Sequence, residues 1–121
     1  MDLVRLGEAT GIVHYLIVYE LAYFWRRTGL IFDSLERIEE FVEVYFKVIE
    51  LNCKLALEAA EIKIKGDELL KRAAEPTLRK RKLSSADATT LALALNLDAH
   101  LVTGDKDLGY VAERMGVKVV W

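Results

Sequence analysis

The stretch Leu101-Val102-Thr103-Gly104-Asp105-Lys106-Asp107-Leu108 predicts a change from strand to helix. The apolar run from Ala99 to Thr103 predicts a strand, and Gly104 supplies a turn. A helix is then expected from about Lys106 to Met115, followed by a final strand from Val117 to Trp121. A strand, a helix and a second strand in this order form a crossover that joins parallel strands. The stretch therefore indicates an α/β sandwich with helices packed on a parallel sheet.

The preceding part of the chain shows the same alternation of helix and strand. Hydrophobic periodicity, capping residues and helix breakers mark the elements. In chain order they first predict a helix from Asp2 to Ala9 stopped by Gly11, a strand from Ile12 to Leu16, and a helix from Leu16 or Ile17 to Arg27 stopped by Gly29. A helix from Leu35 to Tyr45, capped by Asp33 or Ser34, and a strand from Phe46 to Leu51 are expected next. The following elements are a helix after Asn52 that runs toward Gly66, a further helical turn or two from Asp67 to Ala74, a break at Pro76, and a helix from Ser84 to near Asn96.

Length and composition favour one globular domain over residues 1–121. The chain has 121 residues, of which 53% are hydrophobic, and this is enough to bury a core. The apolar runs are shorter than the roughly 18 residues of a membrane span, and the N-terminus lacks the pattern of a signal peptide. Cys53 is the only cysteine and cannot form an internal disulfide, which fits a reducing cytoplasm. The net charge of −2 means that any contact with nucleic acid must be local.

Three acidic positions lie at the ends of predicted elements. Glu20 is the only formally charged residue between Tyr15 and Trp25, and a carboxylate is costly to bury without compensation, so we expect it to face something polar. Asp87 and Asp105 each lie where an apolar run meets a loop, and Asp107 follows closely. If the fold gathers these acids, they form the kind of carboxylate pocket that holds magnesium or manganese.

Each acid also has a structural explanation, and these alternatives stay open. Asp87 lies three residues after Ser84, as in a capping box, and Asp105 fits the N-cap of a strand-to-helix turn. Asp107 can complement a helix dipole, and Glu20 can point into solvent. The basic run Arg79-Lys80-Arg81-Lys82 is either a solvated face or a set of phosphate contacts beside the acidic pocket. The remaining candidates are read as structural, namely the two histidines His14 and His100, and the aromatic residues Tyr15, Tyr19, Tyr23, Phe24 and Trp25, which we expect mostly in the core.

The chain resembles the PIN-domain family and, within it, the small VapC-type toxins of prokaryotic toxin–antitoxin pairs. Three segments carry the resemblance over almost the whole chain, namely Val18-Tyr19-Glu20-Leu21-Ala22, Leu83-Ser84-Ser85-Ala86-Asp87-Ala88 and Leu101 to Leu108. The resemblance implies a PIN-like three-layer sandwich with a central parallel sheet. It also implies a metal-dependent endoribonuclease in which Glu20, Asp87 and Asp105 hold Mg²⁺ or Mn²⁺, Asp107 is a fourth catalytic acid, and Thr103 is a small hydroxyl that precedes the third acid.

The resemblance is incomplete at the N-terminus. The family begins with a buried strand that ends in Asp-Thr or Asp-Ser, and no such pattern precedes Glu20, so we expect an N-terminally incomplete PIN-like domain and give Asp2 no catalytic role. The implied partners are an RNA substrate, a cognate antitoxin and a second copy of the chain, and some of the aromatic residues are candidates for the dimer face or an antitoxin groove. The alternative function is a non-catalytic or truncated binding module that interacts with an antitoxin or self-associates.

Overall fold

The structure is a computed structural model that describes residues 9–29 and 34–120. The chain divides into two compact units, Met1–Leu51 and Asn52–Trp121. A single domain over the whole chain stays a prediction. None of the helices formed by the described residues combines the length and the apolar character that a bilayer span requires. The helix predicted from Asp2 to Ala9 lies outside the described residues, apart from Ala9 itself.

The first unit contains two helices and a pair of parallel strands. Its elements are β1 (Gly11–His14), α1 (Tyr15–Thr28), α2 (Leu35–Tyr45) and β2 (Phe46–Ile49). In the pair, Gly11 lies opposite Phe46 and His14 lies opposite Ile49. Ile38 and Val42 of α2 are buried at helical spacing, as the apolar stripe of this helix predicts.

Local hydrogen bonds set the ends of the two helices in this unit. The Leu16 N–H donates to Nδ1 of His14 at 3.2 Å, so α1 begins earlier than predicted and shortens the preceding strand. Gly29 ends α1 with a φ of 64°, a left-handed conformation that glycine adopts without steric cost. The Ser34 hydroxyl accepts from the Arg37 N–H at 3.3 Å and caps α2. The alternative cap, Asp33, lies outside the described residues.

The second unit contains most of the helical core. Its elements are α3 (Cys53–Lys71), α4 (Pro76–Arg79), α5 (Ser85–Leu97), β3 (Leu101–Val102), α6 (Lys106–Arg114) and β4 (Val119–Val120). The strands pair in parallel with Leu101 opposite Val119. Helix α3 packs along α5, and a cluster of buried residues from α3, α5, α6 and the segments between them forms the core, namely Leu70, Ala73, Leu78, Leu83, Ala88, Leu91, Ala94, Leu101, Leu108, Val111, Ala112 and Val117.

Gly66 lies inside helix α3, and the further helical turns predicted from Asp67 are the continuation of the same helix as far as Lys71. Gly66 is buried at a close approach between elements. A Cβ atom at this position would lie 2.9 Å from Cδ2 of Leu83 and 3.3 Å from Cγ1 of Val111. The glycine therefore serves packing and not helix termination.

The observed elements show the predicted alternation of helices and parallel strands, but the sheets are small. The strands expected over Ala99–Thr103 and Val117–Trp121 are reduced to two residues each, and Trp121 lies outside the described residues. Each described sheet has two strands. A three-layer sandwich around one central sheet stays a prediction.

Candidate functional site

Asp87 lies in the first turn of α5, a few residues after the basic run Arg79-Lys80-Arg81-Lys82. The Ser84 hydroxyl accepts from the Asp87 N–H at 3.0 Å, so the Ser84 cap predicted from the sequence is present. Asp87 is half-buried. Its position in the first turn places the carboxylate at the positive end of the helix dipole.

Asp105 occupies the N-cap position of α6, but its side chain makes no capping hydrogen bond. The Asp105 N–H instead donates to the Thr103 hydroxyl at 3.1 Å, which fixes the turn after β3. The Asp105 side chain is exposed and lines an open cleft of ≈ 450 Å³. The other residues lining this cleft are Glu75, Leu78, Thr103, Gly104, Lys106, Gly109, Tyr110, Glu113 and Val119.

Asp107 is buried and paired with the basic run. The distance from Nε of Arg81 to Oδ2 of Asp107 is 3.5 Å, and the exposed fractions of the two side chains are 61% and 8%. Losing the cation would remove the ion pair that helps to compensate for burial of this carboxylate. Arg81 therefore has a role that neither reading of the basic run anticipated, because it neutralises Asp107. Arg79, Lys80 and Lys82 are exposed.

Two residues of α3 hold the segment that leads into Asp87. The Leu83 N–H donates to Oδ1 of Asp67 at 2.8 Å, and the Lys63 ammonium donates to the Leu83 carbonyl at 2.7 Å. Lys63 also donates to Oδ2 of Asp67 at 3.0 Å, so the three residues form a closed network that we call the Leu83 clasp. Sequence reasoning missed it, although a lysine and an aspartate four residues apart on one helix were a visible sign of a pair.

The pKa of Asp67 reflects two opposing effects. Burial raises the pKa of this carboxyl, whereas the Leu83 N–H and the charges of Lys63 and Lys82 lower it, and the net pKa lies below the ordinary value of 3.8. A carboxyl whose pKa is lowered by folding stabilises the protein above its unfolded-state pKa. That stabilisation is lost as the pH falls through the lower folded-state pKa.

Asp67→Asn is therefore expected to destabilise the protein at pH 7 and to make it less sensitive to acid. Loss of charged hydrogen bonds predicts a decrease of about 1 to 3 kcal/mol in the free energy of unfolding. The difference from the unmodified chain should shrink below about pH 4. Urea unfolding at pH 7, 5 and 3 measures both effects. Glu68→Gln, at the neighbouring exposed position, is the control, and parallel pH profiles for Asp67→Asn and the unmodified chain would contradict the role of the clasp.

Glu20 lies on α1 in the first unit and is exposed, as its solvent-facing alternative allows.

Near the start of the same helix the Tyr15 hydroxyl donates to Oε1 of Glu50 at 3.3 Å. The negative charge of Glu50 is the main reason that the pKa of Tyr15 is raised above 10.0, with burial and the hydrogen bond acting in the same direction. Tyr15 therefore stays neutral and can continue to donate.

The donor chemistry of these acids fits a divalent cation, but the described residues show no assembled site. Carboxylate oxygens are the ligands that Mg²⁺ and Mn²⁺ prefer, and Asp105 offers one that is exposed and not used as a helix cap. Within residues 9–29 and 34–120, no three His, Cys, Asp or Glu side chains converge as metal ligands do. The shared site of Glu20, Asp87 and Asp105 stays a prediction.

Comparison with known protein families matches this chain to the PIN domain over residues 3–114. The matched range includes Glu20, Asp87, Asp105 and Asp107. PIN domains are generally nucleases and often act as toxins in toxin–antitoxin pairs. A search of curated proteins finds no match. Because the matched range covers nearly the whole sequence, the chain belongs to the PIN domain family.

Proposed function

We propose that this PIN domain is a metal-dependent endoribonuclease that acts as the toxin of a toxin–antitoxin pair. One observation carries the proposal. The exposed Asp105 carboxylate follows a parallel strand, occupies an N-cap position without capping the helix, and opens into a cleft. Sites in α/β sheets form beyond the carboxyl ends of strands, which is where Asp105 lies.

In this proposal Glu20, Asp87 and Asp105 hold Mg²⁺ or Mn²⁺, with Asp107 as a fourth acid. The bound ion would lower the pKa of a water molecule and neutralise charge on the phosphate. The protein supplies the positions of the ligands. Thr103 fixes the turn that carries Asp105, and the Leu83 clasp fixes the backbone that leads into Asp87.

The basic run is the proposed phosphate contact. Arg79, Lys80 and Lys82 are exposed, and Arg81 is mostly exposed while it pairs with Asp107. The net charge of the chain is −2, so the protein as a whole does not attract an RNA backbone. Positive charges beside the acidic residues would offset the repulsion between those acids and the RNA phosphates. Contacts of this kind position the strand and carry no base specificity.

Incubation of the purified chain with end-labelled single-stranded RNA tests the proposal. We expect cleavage with millimolar Mg²⁺ or Mn²⁺ and no cleavage in excess chelator, with activity restored when the metal is added back. A DNA strand of the same sequence is the control for the nucleic acid. Cleavage that persists in chelator, or no cleavage under any metal condition, would overturn the proposal.

A non-catalytic binding module is the second candidate. One observation favours it, because Arg81 already pairs with the buried carboxylate of Asp107. In that case the chain would bind an antitoxin or a second copy without cutting RNA.

Our proposal for the active protein also includes a homodimer, a cognate antitoxin, a cytoplasmic location and a three-layer sandwich.

A further inference from the structure

Helix α1 exposes three tyrosines in one line. Tyr15, Tyr19 and Tyr23 follow one another at intervals of four residues, and their exposed fractions are 49%, 65% and 56%. Residues four apart on a helix lie on one face. No residue of α1 is fully buried, so the expectation that its aromatic residues are mostly core is wrong for these three and for Phe24. We call Tyr15, Tyr19 and Tyr23 the tyrosine stripe.

Two rings of the stripe are stacked. The rings of Tyr19 and Tyr23 are nearly parallel, with an angle of 9° between their planes and 6.4 Å between their centroids. This distance is comparable to two base steps of about 3.4 Å each along a nucleic-acid strand. At the other end, the hydrogen bond from Tyr15 to Glu50 orients the first ring. The stripe therefore offers two parallel rings, Tyr19 and Tyr23, and a third ring held by its hydroxyl, which suit stacking on bases.

Two arginines add positive charge at the end of the stripe. The guanidinium of Arg27 lies 5.8 Å from the ring centroid of Tyr23, and that of Arg26 lies 5.9 Å from the ring of Trp25. A single RNA strand has both flat bases and phosphates, so it complements tyrosine rings with adjacent arginines. A second copy of this chain that paired through the same face would instead place its own arginines beside these two, so like charges would meet.

We propose that the tyrosine stripe, with Arg26 and Arg27, binds single-stranded RNA by stacking bases on the rings and contacting phosphates with the guanidinium groups. This inference rests on the proposed function, because it names the form of the substrate and a surface that holds it. Glu20 follows Tyr19 directly on the same helix and is also exposed. A strand on the stripe would therefore pass close to one of the proposed metal ligands.

Binding of a fluorescent 12-nucleotide RNA, measured by anisotropy in excess chelator, tests the surface without any requirement for cleavage. Replacing both Tyr19 and Tyr23 with leucine should weaken binding at least tenfold, because aliphatic side chains cannot stack on bases. Replacing both with phenylalanine should keep the affinity within about threefold, since the rings remain. Arg26→Gln combined with Arg27→Gln should reduce the slope of log affinity against log salt by about 1 to 2.

Phe24→Leu is the matched control, because it removes an exposed aromatic ring of the same helix that lies outside the stripe. It should leave RNA affinity unchanged. Equal affinity of the double leucine variant and the unmodified chain would overturn the inference. So would a change in sedimentation with unchanged RNA binding, which would assign the face to a second copy. If the stripe binds RNA but the chain never cuts it, the proposed function fails and this inference stands. If the chain cuts RNA and the double leucine variant binds RNA normally, the proposed function stands and this inference fails.

Discussion

Asp105→Asn is expected to reduce metal-dependent RNA cleavage at least 100-fold. The substitution keeps the shape of the side chain but removes the negative charge that makes a carboxylate a strong ligand of Mg²⁺ or Mn²⁺. In metal-free solution the free energy of unfolding should change by less than about 0.5 kcal/mol, because the exposed side chain makes no capping hydrogen bond. Any rise in melting temperature that millimolar metal gives to the unmodified chain should be mostly lost. Single-turnover cleavage and thermal melts with and without metal measure these effects.

Asp98→Asn is the control for Asp105→Asn. It removes one exposed acid from the same unit at a left-handed position with φ of 50°, which asparagine tolerates. Cleavage and the response to metal should be retained in this variant. An Asp105→Asn protein that cuts RNA at the normal rate would remove Asp105 from the proposed site.

Gly66→Val is expected to produce the largest loss of stability. Its Cβ alone would lie 2.9 Å from Cδ2 of Leu83 and 3.3 Å from Cγ1 of Val111, and both neighbours are fully buried. Overpacking in a dense core costs about 1 to 3 kcal/mol, and a branched side chain adds two further carbon atoms. We therefore expect a loss of about 3 kcal/mol in the free energy of unfolding, measured with urea.

Gly109→Ala provides a control of opposite sign. Gly109 is also within a helix, α6, but a Cβ atom there would meet nothing within 4 Å. Alanine should therefore raise the free energy of unfolding by about 0.5 to 1 kcal/mol through its higher helix propensity. If both glycine substitutions stabilise the chain, the close approach at Gly66 is not a constraint.

The parts of the fold that local chemistry determines were predictable from the sequence. Ser84 caps its helix as expected, and α6 begins at Lys106 after the Thr103-Gly104-Asp105 turn. These features depend on neighbours within about one turn, so a short window contains their cause. The placement of Asp87 and Asp105 at the starts of helices was predictable for the same reason.

Features that depend on distant residues were not predictable. The packing role of Gly66 was not visible because its two contacts, Leu83 and Val111, come from elsewhere in the chain. Arg81 showed no sign of its pairing with Asp107, which lies on another element. The tyrosines of α1 looked like core because composition reports apolar surface but not which side of a helix is covered. Whether the acids converge depends on the same long-range packing.

The Leu83 clasp has a consequence for how the basic run can change. Both contacts from α3 are made to the main chain of Leu83, so the hydrogen bonds that anchor this point do not depend on any side chain in the run. Arg79, Lys80 and Lys82 can therefore be exchanged for other residues while the backbone before Asp87 keeps its anchor. The charge of residues 79–82 can therefore change without loss of these two hydrogen bonds, whereas Arg81 is also paired with Asp107 and Lys82 also lowers the pKa of Asp67.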